Sequence, residues 1–181
     1  MTLKYGMSVL TAVLLLMGLA FTSSAHDPSK HGFRLVTFSR PSTPPAFSLV
    51  DLSGKQVSLE QYRGKYVLLN FWATWCPPCL EEMPSMDALY EQFRDRGFEV
   101  VAISSDKEGA EIVQGFVDKL AVGFKILLDP DGSVSASYGA KNLPVSFLLN
   151  RQGKVVAATQ GSRDWASSEA QSVIGEIIQA Q

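Results

Sequence analysis

Asn70-Phe71-Trp72-Ala73-Thr74-Trp75-Cys76-Pro77-Pro78-Cys79 contains both cysteines of this 181-residue chain. It lies where an apolar run, Lys65 to Trp72 (KYVLLNFW), gives way to helical periodicity from Pro77 to about Arg96. The run reads as a strand buried on both faces. The stretch after it places Leu80, Met83, Met86, Tyr90 and Phe93 on one side of a helix. Residues i and i+3 of a helix have Cα atoms about 5 Å apart, and a disulfide spans roughly 4.4–6.8 Å. Cys76 and Cys79 can therefore bond, in a loop too short to constrain the unfolded chain much. Such a bond suits opening and closing better than stapling.

Strand and helix patterns alternate downstream. Phe98 to Ser104 reads as a second buried strand. Ser105 and Glu108 have capping-box spacing for a helix running to Leu120, with Ile112, Val113, Phe116, Val117 and Leu120 at helical intervals. Phe124 to Leu128 reads as a strand and Asp131 to Tyr138 as a short helix. Val145–Asn150 and Lys154–Thr159 read as a hairpin across Arg151-Gln152-Gly153, and Trp165 to about Gln179 as the last helix. Upstream, Phe47–Val50 and Gln56–Leu59 flank Ser53-Gly54 as an N-terminal hairpin, and Ser58 with Gln61 suggests a brief helical turn. The class is α/β: a central mixed sheet flanked by helices on both faces.

The chain begins with an address. Lys4 precedes an apolar run from Met7 to Phe21, and Thr22-Ser23-Ser24-Ala25 offers small residues to a signal peptidase. The expected organisation is a signal peptide over 1–25, an extended lead-in over 26–44 and one folded domain over 45–181. A retained anchor is the alternative to cleavage, although the run is shorter than the roughly 20 residues a spanning helix needs. Either way the domain is exported, where disulfide chemistry persists.

Composition narrows the function. Sixteen Lys and Arg against 18 Asp and Glu give a net charge of −2, which argues against a nucleic-acid partner. Two His and two Cys are too few for zinc fingers, haem attachment or a multi-disulfide scaffold. His26 and His31 both fall in the lead-in, leaving no histidine for a Cys–His hydrolase. No cofactor and no metal site are expected. The acidic group Asp106, Glu108 and Glu111 is explained by capping and the helix dipole.

A cysteine at a helix start sits in a field that favours the thiolate, the attacking form. Cys76 is thus expected to be the exposed nucleophile. Cys79, one turn in against the core, is the resolving thiol. Neither Pro77 nor Pro78 has an N–H to offer the Cys76 sulfur. A less stabilised thiolate makes a weaker oxidant. The expected direction is reduction, nearer the thioredoxin end (about −270 mV) than the strongly oxidising end (about −120 mV).

With the motif and Glu81-Glu82-Met83-Pro84 after it, the chain resembles the thioredoxin-like superfamily. It is most similar to the TlpA/ResA-type exported thiol–disulfide oxidoreductases, over about Pro45 to Ile178. The resemblance implies a thioredoxin-like fold with Pro84 inside the active-site helix. It implies a cis-proline loop at Leu143-Pro144 that pairs with substrate backbone, and Trp75 at the rim. It also implies an acid at Glu82, beneath the disulfide, able to take the proton from Cys79; a solvated helix residue like Glu81 is the plainer reading. Thioredoxin's buried acid is replaced by Asn70. The cytochrome-maturation reductases of this group usually carry a Gly-rich acidic stretch before the cis-proline, whereas Tyr138-Gly139-Ala140-Lys141-Asn142 has a lysine and no acid. The implied partners are disulfide-bearing exported proteins and a membrane or periplasmic electron donor, with the enzyme a monomer. Two other functions fit a Cys pair: a thiol-dependent peroxidase, and a Cu(I)-binding metallochaperone-like module.

Overall fold

The computed structural model describes residues 33–179. The expected leader, Met1 to Ala25, and both histidines lie outside the described residues. The strands are β1 (Val36–Ser42), β2 (Ser48–Asp51), β3 (Gln56–Ser58), β4 (Tyr66–Trp72), β5 (Phe98–Ser104), β6 (Lys125–Leu128), β7 (Val145–Leu149) and β8 (Val155–Gln160). They form one sheet in the order β1-β8-β7-β4-β5-β6-β2-β3. β4, β5 and β6 run parallel, and β7 lies antiparallel to β4. The helices are α1 (Pro77–Phe93), α2 (Ala110–Leu120), α3 (Ser133–Ser137) and α4 (Ser168–Gln179).

All seven residues of β4 are buried, as a central strand covered on both faces requires. Its period of two sorts them. Tyr66, Leu68 and Trp72 join a core with Met83, Met86, Val113 and Ile174 of α1, α2 and α4. Val67, Leu69 and Phe71 join a second core with Phe47, Val57 and Leu59, against which Val134 of α3 packs. Helices therefore flank both faces of the mixed sheet. The same alternation places Asn70 on the α1 side.

Four local readings are corrected. The lead-in is extended, but its Val36–Ser42 pairs antiparallel with β8 as the outermost strand. All seven of its residues are exposed, so it buries no face and leaves no burial pattern to read. The Ser105–Glu108 capping box does not form. Ser105 Oγ instead shares a hydrogen bond with Ser135 Oγ, and α2 starts at Ala110 after Gly109, whose φ of 92° suits glycine. Ser58 likewise makes no side-chain cap, and the turn after it is a 3-10 helix over Leu59–Tyr62. α4 begins at Ser168 rather than Trp165, with Ser167 Oγ accepting from Ala170 N.

Candidate active site

Cys76 and Cys79 lie just past the carboxyl end of β4, where parallel sheets place their chemistry. Cys76 is the N-cap of α1, with Pro77 and Pro78 as the first helical residues. Its carbonyl accepts from the N–H of Cys79 (3.0 Å) and Leu80 (3.3 Å). The two sulfurs are bonded, with Cα atoms 5.3 Å apart, within the window the spacing implied. The expectation of an exposed Cys76 is corrected: it is 5% exposed in the bonded form, because the N-cap residue is drawn against the core together with the fully buried Cys79. Its neighbour Trp75 is 64% exposed. The peptide bond between Leu143 and Pro144 is cis.

Glu82 stands one helical turn beyond Cys79 and is buried, unlike the exposed Glu81. Three elements meet at its carboxylate: α1 itself, β4 and the loop between β8 and α4. Oε1 accepts from Asn70 Nδ2 of β4 (2.9 Å). Oε2 accepts from the backbone N–H of Arg163 (3.0 Å) and from the indole N–H of Trp165 (3.1 Å). Burial pushes the carboxyl up to about 7, against the pull of these donors and of the Arg163 charge. A buried acid that titrates near neutrality can hold or release a proton under working conditions.

Two contributors were not legible in the sequence. The loop between β8 and α4 supplies both donors to Oε2. Gly161, with φ of 85°, gives its N–H to the carbonyl of Pro144 (2.8 Å), so the same loop touches the cis-proline. The Arg163 guanidinium holds the loop through the carbonyls of Gln160, Gly161 and Ser162, and reaches Arg34 of the lead-in. Phe33 packs edge-on against Trp165, ring centroids 5.4 Å apart. Trp165 is thus both a packing residue and a hydrogen-bond donor. The second contributor is Asp106, read as a capping acid. It is buried and accepts from Thr74 N, Thr74 Oγ1 and Ser104 Oγ. It thereby ties down the approach to Cys76. Nothing local in the sequence signals either contact, because the partners lie some 80 and 32 residues apart along the chain.

Lys141 and Asn142 are exposed on the loop before Leu143. A cleft of about 350 Å³ lined by Asp51, Gln114, Phe124 and Lys125 lies away from the disulfide. Among the described residues, no group of three or more His, Cys, Asp or Glu is placed to hold a metal. No described helix is long and apolar enough to cross a membrane.

Comparison with known proteins agrees with this geometry. Residues 42–158 match the AhpC/TSA family. The chain is 40% identical over 126 residues to the thiol-disulfide oxidoreductase ResA of Bacillus subtilis, covering 70% of each chain. It is 39% identical over 119 residues to ResA of Bacillus thuringiensis subsp. konkukian, covering 66% of this chain and 68% of that one. Among solved structures, the thioredoxin domain of a thiol-disulfide oxidoreductase from Bacteroides vulgatus superposes with a TM-score of 0.69 at 27% identity, over 79% of this chain and all of the other. The disulfide at the strand–helix junction is the redox centre such enzymes require, and the chain belongs to the AhpC/TSA family as a thiol-disulfide oxidoreductase of the ResA type.

Proposed function

We propose that this oxidoreductase reduces disulfides in exported proteins, with Cys76 as nucleophile, Cys79 as resolving thiol and Glu82 as proton acceptor. The observation that carries the reading is the buried Glu82 carboxyl one turn from Cys79, held by three donors and titrating near neutrality. In the reduced enzyme the Cys76 thiolate attacks one sulfur of a client disulfide. The client bond breaks, and its second sulfur leaves and takes up a proton. Cys79 then passes its proton to Glu82, and the new thiolate attacks Cys76 in the mixed disulfide. The client's first sulfur leaves as a thiolate and takes the proton that Glu82 releases, so the client is fully reduced, Glu82 is a carboxylate again and the Cys76–Cys79 bond is restored. Two electrons and two protons from a membrane or periplasmic donor re-arm the pair. Trp75, Leu143 and Pro144 form the surface along which an extended client chain lies. The missing N–H groups at Pro77 and Pro78 support the reducing direction.

The test is trapping. In the exported, cell-expressed protein, Cys79→Ser should accumulate mixed disulfides at Cys76, whereas Cys76→Ser should accumulate none. A normally expressed Cys79→Ser that captures no protein would remove the protein-substrate reading. Equilibration of the pair with glutathione checks direction, and a potential near the strongly oxidising end (about −120 mV) would reverse it.

A further inference from the structure

The hydrogen bonds around Glu82 are not interchangeable. The two groups on Oε2, a backbone N–H and an indole N–H, can only donate. Oε2 must therefore accept whether the carboxyl is charged or neutral, and an added proton belongs on Oε1. Facing Oε1 is Asn70 Nδ2, which spends its two hydrogens on Glu82 Oε1 (2.9 Å) and Ser146 Oγ (3.0 Å). That arrangement fits the ionised carboxylate alone. With a proton on Oε1, two donors would confront each other in a site where Asn70 is fully buried and Glu82 and Ser146 nearly so.

The unused half of the same side chain resolves the conflict. Asn70 Oδ1 is buried with no hydrogen-bond partner. A carboxamide has two donor hydrogens at one end and two acceptor lone pairs at the other, in nearly the same shape. Turned by half a rotation, Oδ1 would accept from the Glu82 O–H and from the Ser146 hydroxyl, which can reverse its own role. We propose that Asn70 is a positioning residue that turns its carboxamide over when Glu82 gains or loses its proton. One buried contact then serves both protonation states. This rests on the reading of Glu82 as the acceptor for Cys79, and it places the transferred proton on Oε1. Among the described residues, the charged side chain acting on Glu82 is Arg163, whose guanidinium is engaged by backbone carbonyls.

Neutron diffraction from the deuterated, oxidised wild-type protein tests this directly, because it separates an amide ND2 from a carbonyl oxygen. Crystals well above pH 7 should show the ND2 facing Oε1. Crystals well below it should show deuterium on Oε1 and the Asn70 carbonyl turned toward it. An unchanged amide with Glu82 visibly protonated, or deuterium on Oε2, overturns the proposal. In solution, carboxyl-carbon NMR of Asn70→Leu should leave the Glu82 midpoint within about half a pH unit of wild type, because the partner lost to the charged form is also lost to the neutral one. A midpoint raised by about one unit or more, a tenfold change in proton affinity, would mark Asn70 as a fixed donor and overturn the proposal. Both measurements read the resting enzyme. They therefore stand apart from the question of whether Glu82 serves Cys79, which turnover of Glu82→Gln decides.

Discussion

Asp106 holds Thr74 by two groups at once: its carboxylate accepts the Thr74 backbone N–H at 3.0 Å and the Thr74 hydroxyl at 2.6 Å. Thr74 is two residues before Cys76, so this contact anchors the turn that carries Cys76. Ser104 Oγ donates to the same carboxylate, closing a buried network. Asp106→Ala would leave two hydroxyls and an N–H without their acceptor. Chemical denaturation should show a loss of about 2–4 kcal/mol, and stopped-flow dithiol exchange should slow at Cys76. Unchanged stability would mean the network is easily replaced by water.

Glu82 gives stability an unusual slope with pH. Its carboxyl is raised from the ordinary value of 4.5 to about 7 by burial. Between those values the unfolded chain has released its proton and the folded protein has kept it. The folded state binds more protons, so stability falls as pH rises from about 4.5 to about 7 and levels off above. The drop is on the order of 3 kcal/mol. Denaturation of the oxidised protein across this range should show it, and Glu82→Gln should flatten that component. A wild-type profile without the decline would show that Glu82 is already ionised at low pH.

Trp165→Phe keeps an aromatic ring against Phe33 and removes one donor from Glu82 Oε2. A lost hydrogen bond to the charged form favours the neutral one. The Glu82 midpoint should rise by about one unit, and resolution of mixed disulfides by Cys79 should need correspondingly higher pH. Carboxyl NMR and single-turnover kinetics should move together. Kinetics shifted without the carboxyl would assign the effect to packing.

Asp51 offers a control remote from the cysteines. It is buried at the start of the turn between β2 and β3, where it accepts from Ser53 Oγ (2.6 Å) and the N–H groups of Ser53 and Lys55, and pairs with Lys125 of β6 (2.9 Å). The Ser53 hydroxyl and then Lys125 hold its carboxyl well below the usual range. Its stabilisation is therefore present above about pH 4 and lost as pH falls toward the folded value. Asp51→Asn should lower stability at neutral pH by about 1–3 kcal/mol, with the gap closing in acid and the redox potential unaltered. A changed potential would reveal coupling between this edge and the disulfide.

What was legible and what was not divides by distance along the chain. Trp75 to Cys79 could be read because the strand end, the helix start and the i to i+3 spacing are all local. The place of Glu82 beneath the disulfide came from the family resemblance, since helical spacing alone left it equally able to face solvent like Glu81. Its partners did not, since Asn70, Arg163 and Trp165 converge on it from β4 and from a loop some 80 residues away. Ser105 with Glu108 looked like a cap because the motif is short, and tertiary pairing with Ser135 outcompeted it. β1 went unread because main-chain pairing, not side-chain burial, makes it a strand.

Cys76 is recessed while Trp75 beside it stands proud of the surface. In the bonded form that sulfur therefore offers solvent little area, so a small thiol reagent should open the pair faster than a bulky one.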